Sequence, residues 1–278
     1  IGPYANNNLP IGADFDLDAT YRVAFPNLTF FYPIAFKMVP NQNKIVIAQL
    51  TGQIYSFDND ENTTTKDLLL DLSSEVGLVS DGGFLGMTIH PDFDASSNPK
   101  NYFYVYYCTK NSEGQDSPGF GQYTSQGCYY SELYDVYQGN FVILERFEVD
   151  PTTMNVVAGS RTTILKNRMY GTTHYGGGMD FGDDGFLYLT TGEHASWARA
   201  QDIFGNLRGG VLRLDVDKDP TKSHPAPRKM PLDAGESDEI TGIEYWIPND
   251  NPFSDNTIGS STSLYGQPNL TTSDPGDV

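Results

Sequence analysis

Positive charge is scarce in this chain: 17 Lys and Arg stand against 36 Asp and Glu, a formal net charge of −19. Phosphate binding needs a basic face, so nucleic-acid partners are excluded as a class. The acidity accords with calcium binding, with solubility in salty surroundings or with a mineral or polycation surface, and its plainest reading is a solvated acidic exterior. No run of about 18 apolar residues occurs, which excludes a helical membrane span. Long Ala/Leu/Glu/Lys stretches of helical type are missing too. There is no Gly-x-Gly-x-x-Gly between strand and helix, no P-loop and no Gly-x-Ser-x-Gly, so nicotinamide, nucleotide and serine-hydrolase chemistry find no support.

Cysteine occurs only at Cys108 and Cys128. The loop between them is polar and glycine-rich with strand-like flanks, so a disulfide there is expected, contributing about 3 kcal/mol through the unfolded state. Such a bond suits a secreted protein, and two independent buried thiols are the alternative. Asn-x-Thr sequons at Asn27, Asn62 and Asn269 permit N-glycosylation. The chain begins at Ile1 without methionine or signal peptide, which reads as a processed N-terminus or a late start. An extracellular location is expected.

What is abundant is aromatic and turn-forming: 18 Tyr, 16 Phe, 28 Gly and 17 Pro. That composition predicts an all-β protein of short strands and many turns. Repetition gives the architecture. Residues 34–58, 85–150 and 177–219 each read strand, turn, strand, variable insertion, strand, and close on an acidic turn at Asp58, Asp150 or Asp215. Repeated antiparallel units of this kind predict a β-propeller, which needs about four to eight blades to close. We expect one domain over residues 1–278, with blade repeats over 19–219, an outer strand near 19–25 and a loop-rich segment over 220–278. Those last residues are too few for the remaining blades, so the chain is expected to cover only part of the ring.

The run His174–Glu193 carries the candidate chemistry. A histidine stands at the mouth of a glycine-rich strand; an Asp184-Gly185 hairpin and an aromatic return strand follow, and the run ends on a carboxylate. Imidazole and carboxylate at the same end of two paired strands can take a proton from a substrate hydroxyl, the carboxylate fixing the tautomer and raising the basicity. The glycines either admit a ligand or merely relieve crowding near an axis.

Three motifs in series resemble the soluble pyrroloquinoline-quinone (PQQ)-dependent sugar dehydrogenases, the glucose/sorbosone dehydrogenase family. They are Gly82–Phe93 with Asn101–Tyr107 after it, His174–Glu193, and Leu207–Asp217 with Ile247–Phe253 downstream. The resemblance spans about residues 30–255 and implies a six-bladed propeller of four-stranded sheets. It also implies that His174 is the base taking the proton from a sugar hydroxyl as hydride passes to the quinone, that Glu193 orients it where the enzymes commonly have Asp, and that Asp81 stands where a cofactor-contacting residue, usually Gln, is found. PQQ and calcium are the implied cofactors, and an aldose or polyol the implied substrate. An anion at position 81 opposes a tricarboxylate cofactor unless a cation intervenes, and the family's cofactor-binding cations come from the second half of the fold. The form of the His174 motif is similar to the Hedgehog-interacting-protein-like branch, so a catalytically inactive extracellular propeller, binding a protein or glycan partner or serving a structural role, is the alternative.

The remaining polar features read more plainly. His90 is expected to hold a turn, His194 to be a loop residue and His224 to be exposed. Asp14/Asp16/Asp18 and Asp215/Asp217/Asp219 begin like calcium loops but lack the Gly and Glu that an EF-hand requires. No metal-ligand set is assigned. Asp180, Asp183 and Asp184 are expected to serve turn chemistry.

Overall fold

A computed structural model describes residues 22–78, 80–110, 141–169, 173–194, 207–225 and 244–251. Among them every regular element is a strand. The first sheet is a four-stranded antiparallel meander of β1 (Pro33–Met38), β2 (Lys44–Gln49), β3 (Gln53–Asp58) and β4 (Asp67–Asp71). The second orders β5 (Phe84–Ile89), β6 (Tyr102–Cys108), β7 (Phe141–Asp150) and β9 (Thr162–Arg168), with the short β8 (Asn155–Val156) on the far end of β7. The third orders β10 (Gly176–Phe181), β11 (Leu187–Thr191) and β12 (Val211–Leu214). β13 (Ser223–Pro225) pairs with β14 (Trp246–Pro248), which reaches the third sheet through a bridge between Asp215 and Trp246.

The first strands of the sheets, β1, β5 and β10, lie side by side. Three sheets stacked face to face around such a row are blades of a β-propeller, and the chain covers part of the ring. The middle blade shows why these residues fold this way. β6 reads Tyr-Phe-Tyr-Val-Tyr-Tyr-Cys and is buried along nearly its whole length, because both faces meet a neighbour. Phe103, Val105 and Tyr107 point toward the first blade, joining Val46, Ala48, Ile54 and Leu69. Tyr104, Tyr106 and Cys108 point toward the third, joining Met179, Leu187, Leu189 and Leu214. Period-two alternation thus splits one strand between two cores, each buried large side chain contributing about 1.5–3 kcal/mol. The outward face of the first blade instead exposes Ile34, Phe36, Met38 and Leu68.

Polar ties join the blades at both edges. Lys37 Nζ of β1 donates to Asp180 Oδ2 of β10 at 2.7 Å, and Thr88 Oγ1 of β5 donates to Asp180 Oδ1 at 3.1 Å. Asp180 therefore links three inner strands, which corrects the expectation of turn chemistry there; Asp183 and Asp184 do occupy the turn that Gly185 N–H closes on the Gly182 carbonyl, and Asp184 accepts from Phe186 N and from Tyr188 Oη. Toward the rim, Arg161 donates to Glu75 after β4 and to buried Glu145 of β7, which also accepts from Tyr107 Oη at 2.8 Å.

The three repeats expected over 34–58, 85–150 and 177–219 carry the strands expected of them, and the loop-rich segment 220–278 contributes the short β13 and β14 among its described residues. The fourth strands β4 and β9 were not anticipated. The outer strand expected near 19–25 is absent over residues 22–25, and 19–21 lie outside the described residues.

Candidate functional site

The site forms where β10 begins and β11 ends. Two glycine constraints assemble it. A Cβ on Gly192 would run into the carbonyl of His174, so only glycine lets the two strand ends come this close. Gly177 has φ +124°, and a Cβ there would lie 2.7 Å from the Leu85 carbonyl oxygen, so the glycine run also lets β10 nestle against β5. His174 itself adopts φ 60°, uncommon for a non-glycine residue, and His194 N–H donates to its carbonyl at 3.2 Å.

This geometry places His174 Nδ1 in contact with Glu193 Oε1. Asp81, in the turn just before β5, accepts from the His174 backbone N–H through Oδ2 at 3.3 Å. The three residues expected from sequence are therefore together, although they come from two blades. The imidazole is about half exposed and Glu193 about a quarter. Nε2 of His174 has no protein partner among the described residues. Glu193's hydrogen bond holds the imidazole pKa above its ordinary value of 6.5, outweighing the opposing effect of burial, and the charges of Glu193 and Asp81 add smaller contributions in the same upward direction. The arrangement is a histidine of raised basicity, tautomer fixed on Nδ1, with Nε2 available to a hydroxyl.

Beneath it lies a layer that sequence reasoning missed. Tyr106 Oη donates to the Tyr175 carbonyl at 3.4 Å, and Tyr175 packs edge-on against buried His194 at 5.0 Å between centroids. Arg208 is buried, and its charge is felt by Tyr106. It lies two residues before Gly210, whose N–H and carbonyl both meet Thr191 at the end of β11. The Arg-Gly-Gly sequence was the available signal, but it was read only as part of a family motif.

A family model for glucose/sorbosone dehydrogenase matches residues 30–234. This chain belongs to the glucose/sorbosone dehydrogenase family. It is 27% identical over 206 residues to the HIPL1 protein of Arabidopsis thaliana, covering 66% of this chain and 26% of that protein. To the HIPL2 protein of the same plant it is 26% identical over 220 residues, covering 71% and 28%. These relatives agree with the branch expected from the His174 motif. Among solved structures it aligns with the PQQ-bound aldose sugar dehydrogenase of Streptomyces coelicolor at 21% identity and TM-score 0.49, covering 74% of this chain and 49% of that one. With the apo aldose sugar dehydrogenase of Escherichia coli the values are 18%, 0.48, 66% and 44%. The chain thus spans less than half of either structure and little more than a quarter of either curated relative.

The three family motifs fall on the inner strands and their neighbours: Gly82–Phe93 supplies β5, His174–Glu193 supplies β10 and β11, and Leu207–Asp217 supplies β12. His90 is structural, as expected: it is buried, its Nδ1 accepts from Asp92 N at 3.0 Å, and Nε2 lies 3.3 Å from Asp217. His194 is in a loop, yet buried, and His224 sits half-buried on β13. Asp215 accepts from the backbone of Asp217, Lys218 and Asp219 and from Ser223 Oγ, so this acidic loop satisfies itself. Among the described residues no cluster of three or more His, Cys, Asp or Glu could hold a metal. Asp14, Asp16 and Asp18 lie outside the described residues. Cys108 is a buried free thiol, and its expected partner Cys128 lies outside the described residues, as does Asn269.

Proposed function

We propose that this family member contributes the proton-abstracting wall of a quinone-dependent site that oxidises an aldose or polyol. The observation that carries the reading is the His174–Glu193 pair, with Nδ1 committed to the carboxylate and the imidazole about half exposed, Nε2 having no protein partner among the described residues. A hydroxyl placed at Nε2 gives up its proton to the neutral imidazole; Glu193 then stabilises the imidazolium. PQQ, when bound, supplies the hydride acceptor. Buried Arg208 provides positive charge beside the end of β11, which fits a carboxylated cofactor. Asp81 fits it only with a cation between, and the described residues around Asp81 do not form a metal-holding cluster of their own. The test is dye reduction by the full-length protein with aldoses, PQQ and calcium. His174→Ala is expected to lower turnover by about 10²–10⁴-fold; equal turnover in His174→Ala refutes the role.

Asp81 is also the observation that favours the second reading, an extracellular binding or structural propeller without catalysis. Its carboxylate adds negative charge at the mouth, where a tricarboxylate would be repelled. Absence of turnover and of PQQ binding by the full-length protein supports this reading. Under either one we propose a secreted glycoprotein, because Asn27 and Asn62 are both exposed and adjacent, Asn27 Nδ2 lying 3.4 Å from the Asn62 carbonyl. A mass decrease on enzymatic deglycosylation of the native secreted protein checks it.

A further inference from the structure

We infer that a cleft at the Gln49–Gln53 turn of the first blade binds a carboxylated sugar, a site separate from the His174 mouth. The cleft has a volume of about 440 Å³ and is lined by Phe31, Gln49, Thr51, Gln53, Tyr55, Ser73, Val76, Leu78 and Lys110. Small-ligand sites commonly measure about 300–1,000 Å³, so one or two sugar rings have room. None of these residues is acidic, although the chain carries a net charge of −19.

The polar lining consists largely of unused donors. Gln49 is 6% exposed; its Oε1 accepts from Phe31 N at 2.7 Å, while its Nε2 has no protein partner among the described residues. A buried amide whose acceptor is fixed and whose donors are left over is held in one orientation, with those donors available at the cleft. Gln53 repeats the pattern: Oε1 accepts from Thr51 Oγ1 at 2.5 Å, leaving its Nε2 to a ligand. Among the described residues, Lys110 Nζ meets the Ser73 carbonyl, at 3.3 Å, and no carboxylate. Phe31, Val76 and Leu78 supply an apolar side.

Donor amides, lysine charge and apolar surface together complement an oxygen-rich ring bearing one carboxylate. A neutral sugar leaves Lys110 unpaired, and a purely apolar ligand leaves both amides unpaired. The cleft opens at the same end of the fold as the His174 site. Phe84, three residues beyond Asp81, donates to the carbonyl of Leu50, which lies between Gln49 and Thr51. The two sites therefore flank the start of β5 without sharing a side chain.

Titration calorimetry on the full-length protein tests this, using galacturonate and gluconate as free acids, a uronate-terminated trisaccharide, and galactose as neutral control. A sugar carboxylate is expected to bind with Kd on the order of 1 mM and to weaken as salt rises. Binding of the free acids identifies a metabolite site, and binding of the trisaccharide alone identifies a glycan site. Lys110→Gln should weaken binding about tenfold, and Gln53→Leu or Tyr55→Phe several-fold. His174→Ala should leave it unchanged, which separates the cleft from the proposed active site. Galactose binding as tightly as galacturonate, loss of binding in His174→Ala, or unaltered affinity in correctly folded Lys110→Gln and Gln53→Leu overturns the inference.

Discussion

Replacing Arg161 by Met is the sharpest test of how the blades are held together. Arg161 Nε donates to Glu145 Oε2 at 2.9 Å, and its terminal nitrogens meet both oxygens of Glu75 at 2.8 and 2.5 Å. Glu145 is 2% exposed on β7 and, among the described residues, otherwise accepts from Tyr107 Oη and Thr163 Oγ1. Removing one partner of a buried pair costs about 3–5 kcal/mol, because the remaining charge stays desolvated. The Arg161 side chain is 38% exposed, so solvent already screens part of the interaction and the expected cost falls to about 2–3 kcal/mol. Urea unfolding at neutral pH measures it as a lower midpoint with an unchanged slope. Arg161→Met combined with Glu145→Gln should recover more than half of the loss, since the neutral amide carries no buried charge, its oxygen still accepts from one of the two hydroxyls of Tyr107 and Thr163, and its NH2 donates to the other. A single-variant cost below about 1 kcal/mol, or a double variant no better than the single, refutes the account of a buried carboxylate held by one guanidinium. Acid adds an independent check. Hydrogen bonds from Arg161, against partial burial, hold Glu75 below its ordinary 4.5. Its stabilising contribution is full above that value and is lost as pH falls through the depressed pKa, a loss that should vanish in Arg161→Met.

Three further outcomes follow from the site and its frame. Because Glu193 raises the His174 pKa above 6.5, the folded state gains stability below that value and loses it as pH rises through the raised one. Base catalysis runs the other way, so the acid limb of the rate profile should move to lower pH in Glu193→Gln; an unmoved limb removes Glu193 as the orienter. Gly177→Ala forces a left-handed φ on alanine and a 2.7 Å approach to the Leu85 carbonyl, and should cost more than about 2 kcal/mol in urea unfolding; a neutral effect would show that β5 and β10 need not lie so close. Burial pushes the Cys108 thiol up to about 12, so alkylation should require unfolding and then succeed without a reductant; a Cys108–Cys128 cross-linked peptide would contradict the free thiol.

Much of this was legible because it is local. The Thr51-Gly52 turn between β2 and β3 and the Asp184-Gly185 hairpin announce themselves in residue type, and the alternation in Gln53–Phe57 sets a face. His174 and Glu193 were legible for the same reason: the hairpin that separates them in sequence fixes them together in space. β4 and β9 were not. Asp-Leu-Leu-Leu-Asp and Thr-Thr-Ile-Leu-Lys-Asn-Arg show weak alternation and lie on outer edges, where pairing with β3 and β7 decides the conformation. Asp180 was misread because its partners, Lys37 and Thr88, lie 143 and 92 residues away. Arg208 was missed because its meaning depends on Tyr106 and Thr191, which only the stacking of two blades brings near.

Asp180 has a mechanical consequence. Lys37 and Thr88 strap β1, β5 and β10 into one arc, so the inner wall responds to load as a unit. The tie stands at the end of β10 opposite His174. The strap is also a fuse. Burial favours the neutral acid, yet Lys37 and Thr88 keep Asp180 ionised below its ordinary 3.8. The tie therefore holds through neutral and mildly acidic solution and is lost as pH falls through the depressed pKa of Asp180, after His174 has taken up its proton.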